Sequence, residues 1–374
     1  MSTERMETKK WPGMVDTAYP EPFNKVPPPV ATKKPGQLAR DQIELFFKQG
    51  YVIVNEFFTA EELDPCRDAV SLMVDQLAQK LFNAGKIKDM YKDYGLFQRL
   101  TMLEKEYPGS NILLFKHQKM PKAFRDLWCN ELMLNLVEQL IGPDIGGQPS
   151  WNLRTKTPFS DAGVIPWHQD SAYMSNESYD HLIPTAWIPL LDATEQNGCM
   201  QMVKNGHKSG IVARHTCCHA NTWFVTLEEE EMAKTLGVDL KNDISIEPVP
   251  YGGFILFHNL TPHRSFFSFS GANTSNDTRW SIDLRWQSPS HNWSFYDIQD
   301  GVVFRSSTDP DVKPDWDKFL SVDRKEAWEN KYSKKEVTSG SEPEFSTVIT
   351  GPWIGKWEIV NHNKHTEAFK QFLK

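Results

Sequence analysis

The sequence predicts a mainly β protein with flanking helices, whose β region is a jelly roll. Over residues 147–287, short apolar segments alternate with turn residues, as a jelly roll requires. Residues 279–286 alternate strictly between polar and apolar side chains, the pattern of a strand with two different faces. Before this region, two longer stretches, about 59–85 and 123–141, carry apolar residues at helical spacing. With 39% hydrophobic residues, 13 Trp and 22 Phe, the chain has ample material for a core.

The chain is predicted to begin with an arm and to continue into one main domain. Residues 1–38 are charged and proline-rich and form an N-terminal arm without a core of its own. We expect this arm either to be disordered or to lie over the domain surface. The main domain covers residues 39–300 and starts with a short helix at 41–50, followed by a strand at 51–57.

The next elements have recognisable ends. Thr59 is followed three residues later by Glu62, the spacing of a capping box, so a helix begins there and runs to about Gly85. The helix over 123–141 ends before Gly142 and Pro143. Residues 301–374 are predicted to be a C-terminal extension docked on the domain, because an aromatic stretch near its end is compact enough to pack against the domain.

The tripeptide His168-Gln169-Asp170 and the distant His263 predict a metal site. Residues two apart in a strand point to the same face, so the His168 imidazole and the Asp170 carboxylate can bind one ion together. Alone, such a tripeptide is common by chance. Here Pro166 is a plausible strand start, and His263 ends a β-rich apolar run over 251–263. Two histidines and one carboxylate leave one face of the metal open, as in non-haem Fe(II) oxygenases.

The strand predicted after His263 carries four polar residues on one face. This polar face consists of Arg279, Ser281, Asp283 and Arg285. The alternation is compatible with a solvated face and with a polar cavity, and the pattern leaves both open. His258 lies on the same run as His263, but five residues apart in a strand means opposite faces, so we expect it to point away from the metal. Residues 171–184, which follow the first two ligands, read as a lid, a substrate wall or a plain loop.

These motifs together resemble the phytanoyl-CoA dioxygenase family. The H-x-D pair, a distal His reached through G-x-x-x-F-H-x-x-x-x-H, and an Arg on the following strand carry the resemblance, which spans about residues 42–287. Its members are Fe(II)- and 2-oxoglutarate-dependent oxygenases built on a double-stranded β-helix, a cupin-like jelly roll. The resemblance implies that His168, Asp170 and His263 bind iron.

The same resemblance implies residues for the cosubstrate. Arg279 matches the arginine that binds the far carboxylate of 2-oxoglutarate, and Ser265, two residues after the distal His, matches a serine that assists. Trp187 matches a tryptophan nearly twenty residues after the first His. The gap before Arg279 is longer than usual, and its turn-rich residues 266–278 read as a lengthened hairpin loop. Arg285 therefore stays open as the alternative 2-oxoglutarate ligand.

Composition limits the partners and the compartment. The net charge is −8 without clustered Lys and Arg, so we expect no nucleic-acid partner, while the oligomeric state stays open. Residues 1–20 lack an apolar core and no apolar stretch is long enough to span a membrane, so we expect neither signal peptide nor membrane span. Five cysteines without a C-x-x-C suit a reducing compartment, and we expect the cytoplasm. The adjacent Cys217 and Cys218 read as buried thiols rather than as a redox pair.

The predicted function is that of a dioxygenase that hydroxylates, or otherwise oxidises, a C–H bond of a small organic molecule. Fe(II), 2-oxoglutarate and O2 are the expected cofactor and cosubstrates, with succinate and CO2 released. Related halogenases replace the metal carboxylate by a small residue, so Asp170 favours hydroxylation or a related oxidation. One alternative is a metal-dependent, cupin-like isomerase or lyase, which has no use for Arg279. The other is a non-catalytic binding barrel, which needs no three correctly spaced ligands.

Overall fold

The computed structural model describes residues 10–30, 32–116, 119–158, 160, 163–265, 273–332 and 344–373. The helices, in chain order, are α1 Glu21–Asn24, α2 Arg40–Gln49, α3 Ala60–Asn83, α4 Leu96–Glu106, α5 Ser110–Lys116, α6 Lys122–Trp128, α7 Glu131–Ile141, α8 Glu229–Leu236, α9 Trp316–Ser321, α10 Arg324–Tyr332, α11 Trp353–Lys356 and α12 Lys364–Leu373. The strands are β1 Tyr51–Val54, β2 Ile145–Gly147, β3 Asn152–Lys156, β4 Thr185–Pro189, β5 Met200–Val203, β6 Thr216–Cys217, β7 Val225–Thr226, β8 Ile244–Glu247, β9 Phe254–Phe257, β10 His263–Ser265, β11 Arg279–Gln287, β12 Val302–Arg305 and β13 Glu358–Ile359.

Local sequence signals explain the ends of the first helices. The Glu62 carboxylate accepts a hydrogen bond from the Thr59 backbone N–H at 2.9 Å, as the capping-box spacing predicts for the start of α3. Helix α2 ends at Gly50, which has a φ of 98° that favours glycine. The helix predicted over 123–141 is in fact two helices, because Asn130 starts a new one by accepting from the backbone N–H of Leu132 at 2.9 Å.

The strands form two main antiparallel sheets. The larger sheet has the order β1-β9-β4-β11-β2-β12, with β3 also paired to β11, and the smaller has the order β10-β5-β8. The two sheets pack face to face through a shared apolar core, as sheets of a jelly roll do. Its members are Tyr51, Trp187, Ala193, Cys199, Met200, Met202, Val249, Ile255 and Phe257. The predicted class, antiparallel β sheets with flanking helices on a cupin-like fold, is therefore confirmed.

Strand β11 lies in the middle of the larger sheet and connects the fold to the site. Every one of its nine residues is buried. Its apolar face, from Trp280 to Trp286, packs into the core that includes the N-terminal helices, and the Trp280 and Trp286 indoles donate to backbone carbonyls of Leu96 and Trp128. Its polar face is consequently internal. Of the two readings of that face, the solvated one is wrong, because all four of its polar residues are buried.

Two predicted strands are interrupted near the metal motif. His168 makes a single antiparallel bridge with His263, and Asp170 begins a 3-10 turn over Asp170–Ala172 rather than continuing a strand. The run over 251–263 splits into β9 and β10, separated by a turn. The reason given for the ligands sharing a face, two positions along one strand, is therefore wrong. The loop predicted over 266–278 falls partly on residues 266–272, which lie outside the described residues.

The described parts of both terminal segments lie on the main domain. In the arm, the Tyr19 N–H donates to Gly210 O at 2.9 Å, and the Asn24 side chain donates to Lys208 O at 3.0 Å. In the C-terminal segment, Ile354 and Trp357 have 0% exposure. The division into an arm over 1–38, a domain over 39–300 and an extension over 301–374 stays a prediction.

The adjacent cysteines depart from expectation. Cys217 and Cys218 are joined by a disulfide bond, so the reading of this pair as buried thiols is wrong. Cys66, Cys129 and Cys199 are free.

Within the described ranges, none of the helices combines the length and the apolar composition of a membrane span. The cytoplasmic location and the absence of a nucleic-acid partner stay predictions.

Candidate metal centre

Three predicted ligands converge in the interior of the protein. The Nε2 atoms of His168 and His263 each lie 3.7 Å from Asp170 Oδ1, and the two imidazole centroids are 4.2 Å apart. All three residues are at most 3% exposed. Two backbone hydrogen bonds of 3.0 Å between His168 and His263 hold the two histidines side by side. One divalent ion can therefore be bound by all three side chains.

The backbone fixes the tautomer of both histidines. His168 Nδ1 lies 2.9 Å from Pro166 O, and His263 Nδ1 lies 2.9 Å from Thr261 O. Because a carbonyl only accepts, each Nδ1 carries the proton and each Nε2 presents its lone pair, the form that ligates a metal. Burial, and then the neighbouring His168, lowers the pKa of His263 to about 3, so that its imidazole is neutral at ordinary pH.

Asp170 is held by an arginine that the sequence left unassigned between two roles. Its Oδ2 accepts hydrogen bonds from Arg285 Nε at 2.9 Å and from the Thr185 hydroxyl at 3.0 Å, and Arg285 Nη2 forms an ion-pair contact with it at 2.9 Å. Oδ1 is thereby directed to the histidines. Burial is the largest single influence and favours the neutral acid, but the Arg285 guanidinium together with His168 and His263 outweighs it and holds the pKa of Asp170 well below its usual range. Arg285 also donates to Ser150 O, so its guanidinium is already engaged.

Arg279, in contrast, is a buried cation that forms no ion pair with any described carboxylate. It is 2% exposed, its Nη1 donates to Ser281 Oγ at 2.7 Å, and its guanidinium lies 5.2 Å from the ring centroid of Trp187. Its Nε has no hydrogen-bond partner, and it forms no ion pair with a carboxylate in the part of the chain that the structure describes. Burial lowers its pKa to about 10, which still leaves it charged at neutral pH. An unpaired buried guanidinium is the donor set that a carboxylate ligand requires.

Lys156 is a second cation beside Arg279 that sequence reasoning missed. It faces Arg279 across β3 and β11 and has 0% exposure. Burial, and then the Arg279 guanidinium, lowers the pKa of its amine to about 7. Gly198 leaves room for it, since a Cβ there would lie 2.5 Å from Lys156 Nζ. The polar residues at alternate positions of Asn152–Lys156 could have indicated a polar strand face, but only the pairing of β3 with β11 places Lys156 opposite Arg279.

The remaining predicted site residues have defined contacts. Ser265 Oγ accepts from the Ile165 N–H at 3.0 Å and so fixes the segment that leads to His168. Trp187 lies in β4 with its ring under the Arg279 guanidinium. His258 lies apart from the metal group, with its ring stacked on Phe46 at a centroid distance of 4.1 Å.

Two further residues lie near the ligands. The sequence indicated them only as a loop histidine and a member of segment 171–184 that could contact substrate, and not as part of the metal site. His215 Nε2 accepts from the Gln169 backbone N–H at 3.1 Å and its Nδ1 faces Ala213 O at 2.8 Å, so this neutral imidazole anchors the residue between two ligands. Tyr173 places its ring edge against His168 at a centroid distance of 5.3 Å, and its hydroxyl accepts from the Val225 N–H at 3.0 Å. Residues 171–184 thus form a packed wall with several buried side chains, not an open lid.

Known proteins share this fold. The apo form of the non-heme monooxygenase ThoJ matches with a TM-score of 0.51 at 16% sequence identity, over 76% of this chain and 96% of ThoJ. At that identity the likeness shows the fold alone. Joined to a buried centre of two histidines and one carboxylate, that fold defines the class of non-haem iron oxygenases.

Sequence relationships narrow the class to one family. Residues 46–281 match the family model for phytanoyl-CoA dioxygenase (PhyH), and the chain belongs to that family. Phytanoyl-CoA dioxygenase 1 of Oryza sativa subsp. japonica is 26% identical over 265 residues, which cover 63% of this chain and 85% of the relative. Phytanoyl-CoA dioxygenase domain-containing protein 1 of Danio rerio is 28% identical over 276 residues, which cover 65% of this chain and 87% of the relative. The protein is thus a non-haem iron, 2-oxoglutarate-dependent dioxygenase that acts on a small molecule, as the motifs predicted.

Proposed function

We propose that the protein hydroxylates, or otherwise oxidises, a C–H bond of a small organic molecule and releases succinate and CO2. The observation that carries this proposal is the pairing of the three-residue metal centre with the uncompensated buried charge of Arg279. An isomerase or lyase on the same fold would have no use for that charge. A non-catalytic barrel would not need two imidazole Nε2 atoms aimed at one carboxylate.

In this proposal His168 Nε2, Asp170 Oδ1 and His263 Nε2 hold one Fe(II). Three protein ligands leave the opposite face for cosubstrate and O2. When bound, iron with 2-oxoglutarate and O2 supplies the oxidising power for an unactivated C–H bond, while the protein supplies placement and exclusion of water. The nearly complete burial of all three ligands supports that exclusion.

Arg279 is proposed to bind the far carboxylate of 2-oxoglutarate through its planar fork of N–H donors. The Trp187 ring, beneath the guanidinium, keeps that fork in place. Lys156 adds a second positive charge on the neighbouring strand when it is protonated. Ser265 is proposed to assist the same carboxylate. Its hydroxyl accepts from the Ile165 N–H at 3.0 Å and donates to Ile165 O only over a long 3.5 Å contact, which a bound carboxylate would replace.

Arg285 is proposed to act on the metal side rather than on 2-oxoglutarate. Its hydrogen bond and ion-pair contact to Asp170 Oδ2, with the hydrogen bond from Thr185, keep Asp170 ionised and leave Oδ1 for the metal. Second-layer partners of this kind orient a ligand and tune its affinity for the ion.

The substrate is proposed to approach along Tyr173. This residue touches His168 and packs against a largely apolar cluster, which favours a substrate with an apolar part next to the reacting carbon. The members of this cluster are Trp223, Phe224 and Ile349, with Ile112, Phe115, Ile165 and Trp353 around them.

Succinate formation tests the proposal. Purified protein with Fe(II), 2-oxoglutarate and O2 is screened against small molecules for stimulated succinate release, with Arg279→Ala as the matched variant. We expect release that requires both cosubstrates and that is lost in Arg279→Ala. Product formed without 2-oxoglutarate would favour an isomerase or lyase. Absence of any iron binding would favour a binding barrel.

A further inference from the structure

We infer that Lys356 and Trp357, in the C-terminal extension, are positioning residues that hold the metal-binding carboxylate of Asp170 in place. Both residues lie beyond the stretch 46–281 that the family model covers, so the role belongs to this chain's own extension. The inference rests on the proposed function, since it assigns the extension an effect on the iron site.

Three hydrogen bonds connect the extension to the turn that Asp170 begins. Lys356 Nζ donates to Ser171 O at 2.9 Å and also to Met174 O, and Trp357 Nε1 donates to Ala172 O at 2.9 Å. Ser171 and Ala172 belong to the 3-10 turn that starts with Asp170, and Met174 follows it by two residues. Ser171 O also accepts from the Met174 N–H at 3.3 Å, and Met174 O accepts from the Tyr296 hydroxyl at 3.0 Å. The extension therefore adds a donor to each of these carbonyls and ties the turn that presents the carboxylate to the C-terminal segment.

The burial of Lys356 indicates a specific requirement for an amine at this position. Lys356 is 4% exposed, and its Nζ lies 4.6 Å from the ring centroid of Tyr179. Burying an amine is costly unless its hydrogen bonds are made, so an aliphatic side chain would fill the space at lower cost. Burial lowers the pKa of this amine well below its usual value. A neutral amine still has two N–H groups, which match its two carbonyl acceptors.

The N-terminal arm also contacts Lys356 and Trp357 and the segment that follows Asp170. The Gly13 N–H donates to Lys356 O at 3.0 Å, and the Tyr179 hydroxyl donates to Gly13 O at 3.0 Å. A Cβ on Gly13 would lie 2.7 Å from the Trp357 ring, so the arm packs directly on the indole. Both terminal segments thus meet on the residues after Asp170, while Arg285 holds the carboxylate itself.

Two variants of the full chain test the positioning role. Lys356→Met removes the amine and keeps most of the volume, and Trp357→Phe removes the N–H donor and keeps an aromatic ring. Lys370→Met, on the surface of α12, is the matched control. Fe(II) affinity is measured anaerobically by competition with a chelator. Amide hydrogen exchange is measured on metal-free protein, and thermal unfolding is recorded for each variant.

We expect Lys356→Met to weaken Fe(II) binding about tenfold, the lower end of what second-layer partners contribute. Exchange should accelerate at the amides of Ala172, Tyr173 and Met174 more than elsewhere. Trp357→Phe should also weaken Fe(II) binding and accelerate local exchange, but by smaller amounts. The control Lys370→Met should change neither the Fe(II) affinity nor the exchange. Unchanged iron affinity and local exchange in both variants would overturn the inference, and so would faster exchange spread evenly over the chain. A wild-type protein that binds no Fe(II) would instead overturn the proposed function, while the local exchange still reports on the turn.

Discussion

Arg285 donates a hydrogen bond of 2.9 Å from Nε to Asp170 Oδ2, and its Nη2 lies 2.9 Å from the same oxygen, on the strand that also carries Arg279. Two arginines on one polar face thus have opposite surroundings. One is paired with the carboxylate of the metal centre, and the other has no carboxylate partner among the described residues. The unpaired one is the better receptor for an anionic cosubstrate, because a bound carboxylate relieves an uncompensated buried charge.

The first prediction separates these arginines. Arg279→Ala should weaken 2-oxoglutarate binding roughly a hundredfold, since breaking a buried charge pair costs on the order of 3 kcal/mol. Iron binding should change little, and lysine should rescue only partly, because it lacks the planar fork. Arg285→Ala should instead weaken Fe(II) binding, by leaving Asp170 Oδ2 with Thr185 alone. Anaerobic titrations of Fe(II) and of 2-oxoglutarate into both variants determine which arginine binds 2-oxoglutarate. A selective 2-oxoglutarate defect in Arg285→Ala would reverse the assignment.

The second prediction concerns the metal ligands. His168→Ala, Asp170→Ala and His263→Ala should each abolish the visible charge-transfer band that Fe(II) and 2-oxoglutarate produce without oxygen. His362→Ala, at a histidine on the surface, is the control and should keep the band. Circular dichroism checks that each variant is folded. Full iron binding in all three ligand variants would show that the triad is misassigned.

The third prediction uses a pair of glycines. Gly198→Ala should displace Lys156 and weaken 2-oxoglutarate binding about tenfold, roughly 1.4 kcal/mol, without loss of iron. Gly85→Ala is the matched control, since Gly85 has a similarly positive φ but no atom within 4 Å of the added Cβ. Both variants should lose about 1 kcal/mol of unfolding free energy, because alanine at positive φ is strained. Equal 2-oxoglutarate affinity in the two would remove Lys156 from the cosubstrate site.

The fourth prediction places His258 outside the metal centre. His258→Gln should retain stoichiometric iron and most activity, because its ring packs on Phe46 rather than facing Asp170. The glutamine should lower thermal stability, since it loses the ring contacts with Phe46 and Phe47 and leaves an amide without partners among these aromatic rings. Iron content by metal analysis and a thermal melt are the measurements. Loss of iron from folded His258→Gln protein would move the third ligand from His263 to His258.

The fifth prediction is acid lability caused by buried neutral histidines. Burial lowers the pKa of His207 to about 4 and that of the adjacent His258 well below its usual value. Above pH of about 6.5 neither the folded nor the unfolded state is protonated at these sites. Below it the unfolded chain binds protons that the folded protein does not, so stability falls as the pH drops from about 6.5 towards 4.

Denaturant unfolding at pH 7.5 and at pH 5 measures this loss. His207 alone should account for a loss of up to about 3 kcal/mol of unfolding free energy between pH 7.5 and the acid end of the range, because its pKa is lowered to about 4 in the folded protein. His258→Phe cannot take up a proton and should flatten the pH dependence. An identical slope in His258→Phe and in the wild type would assign the acid lability to other groups.

Several features were determined by the sequence alone, because their causes are local. The capping pair of Thr59 and Glu62 sets the start of a helix through contacts three residues apart. Strict alternation over Arg279–Trp286 identified the central strand. The spacing of the H-x-D motif and the distal histidine identified the family, which residues 46–281 confirm.

The tertiary structure decided the features that depend on which distant segments meet. The alternating pattern could not predict whether the polar face of β11 is solvent-exposed or buried, since that depends on the segments that pack around the strand. Its pairing with β3 is one example, because it brings Lys156 opposite Arg279. The sequence pattern also could not predict that Asp170 begins a turn, because that turn takes hydrogen bonds from Lys356, nearly at the other end of the chain. Spacing likewise could not show that packing pairs Arg285, and not Arg279, with Asp170, and the assignment of Arg279 to 2-oxoglutarate stays a prediction. Spacing along a chain specifies local geometry, whereas the neutralisation of a buried charge is a property of three-dimensional neighbours.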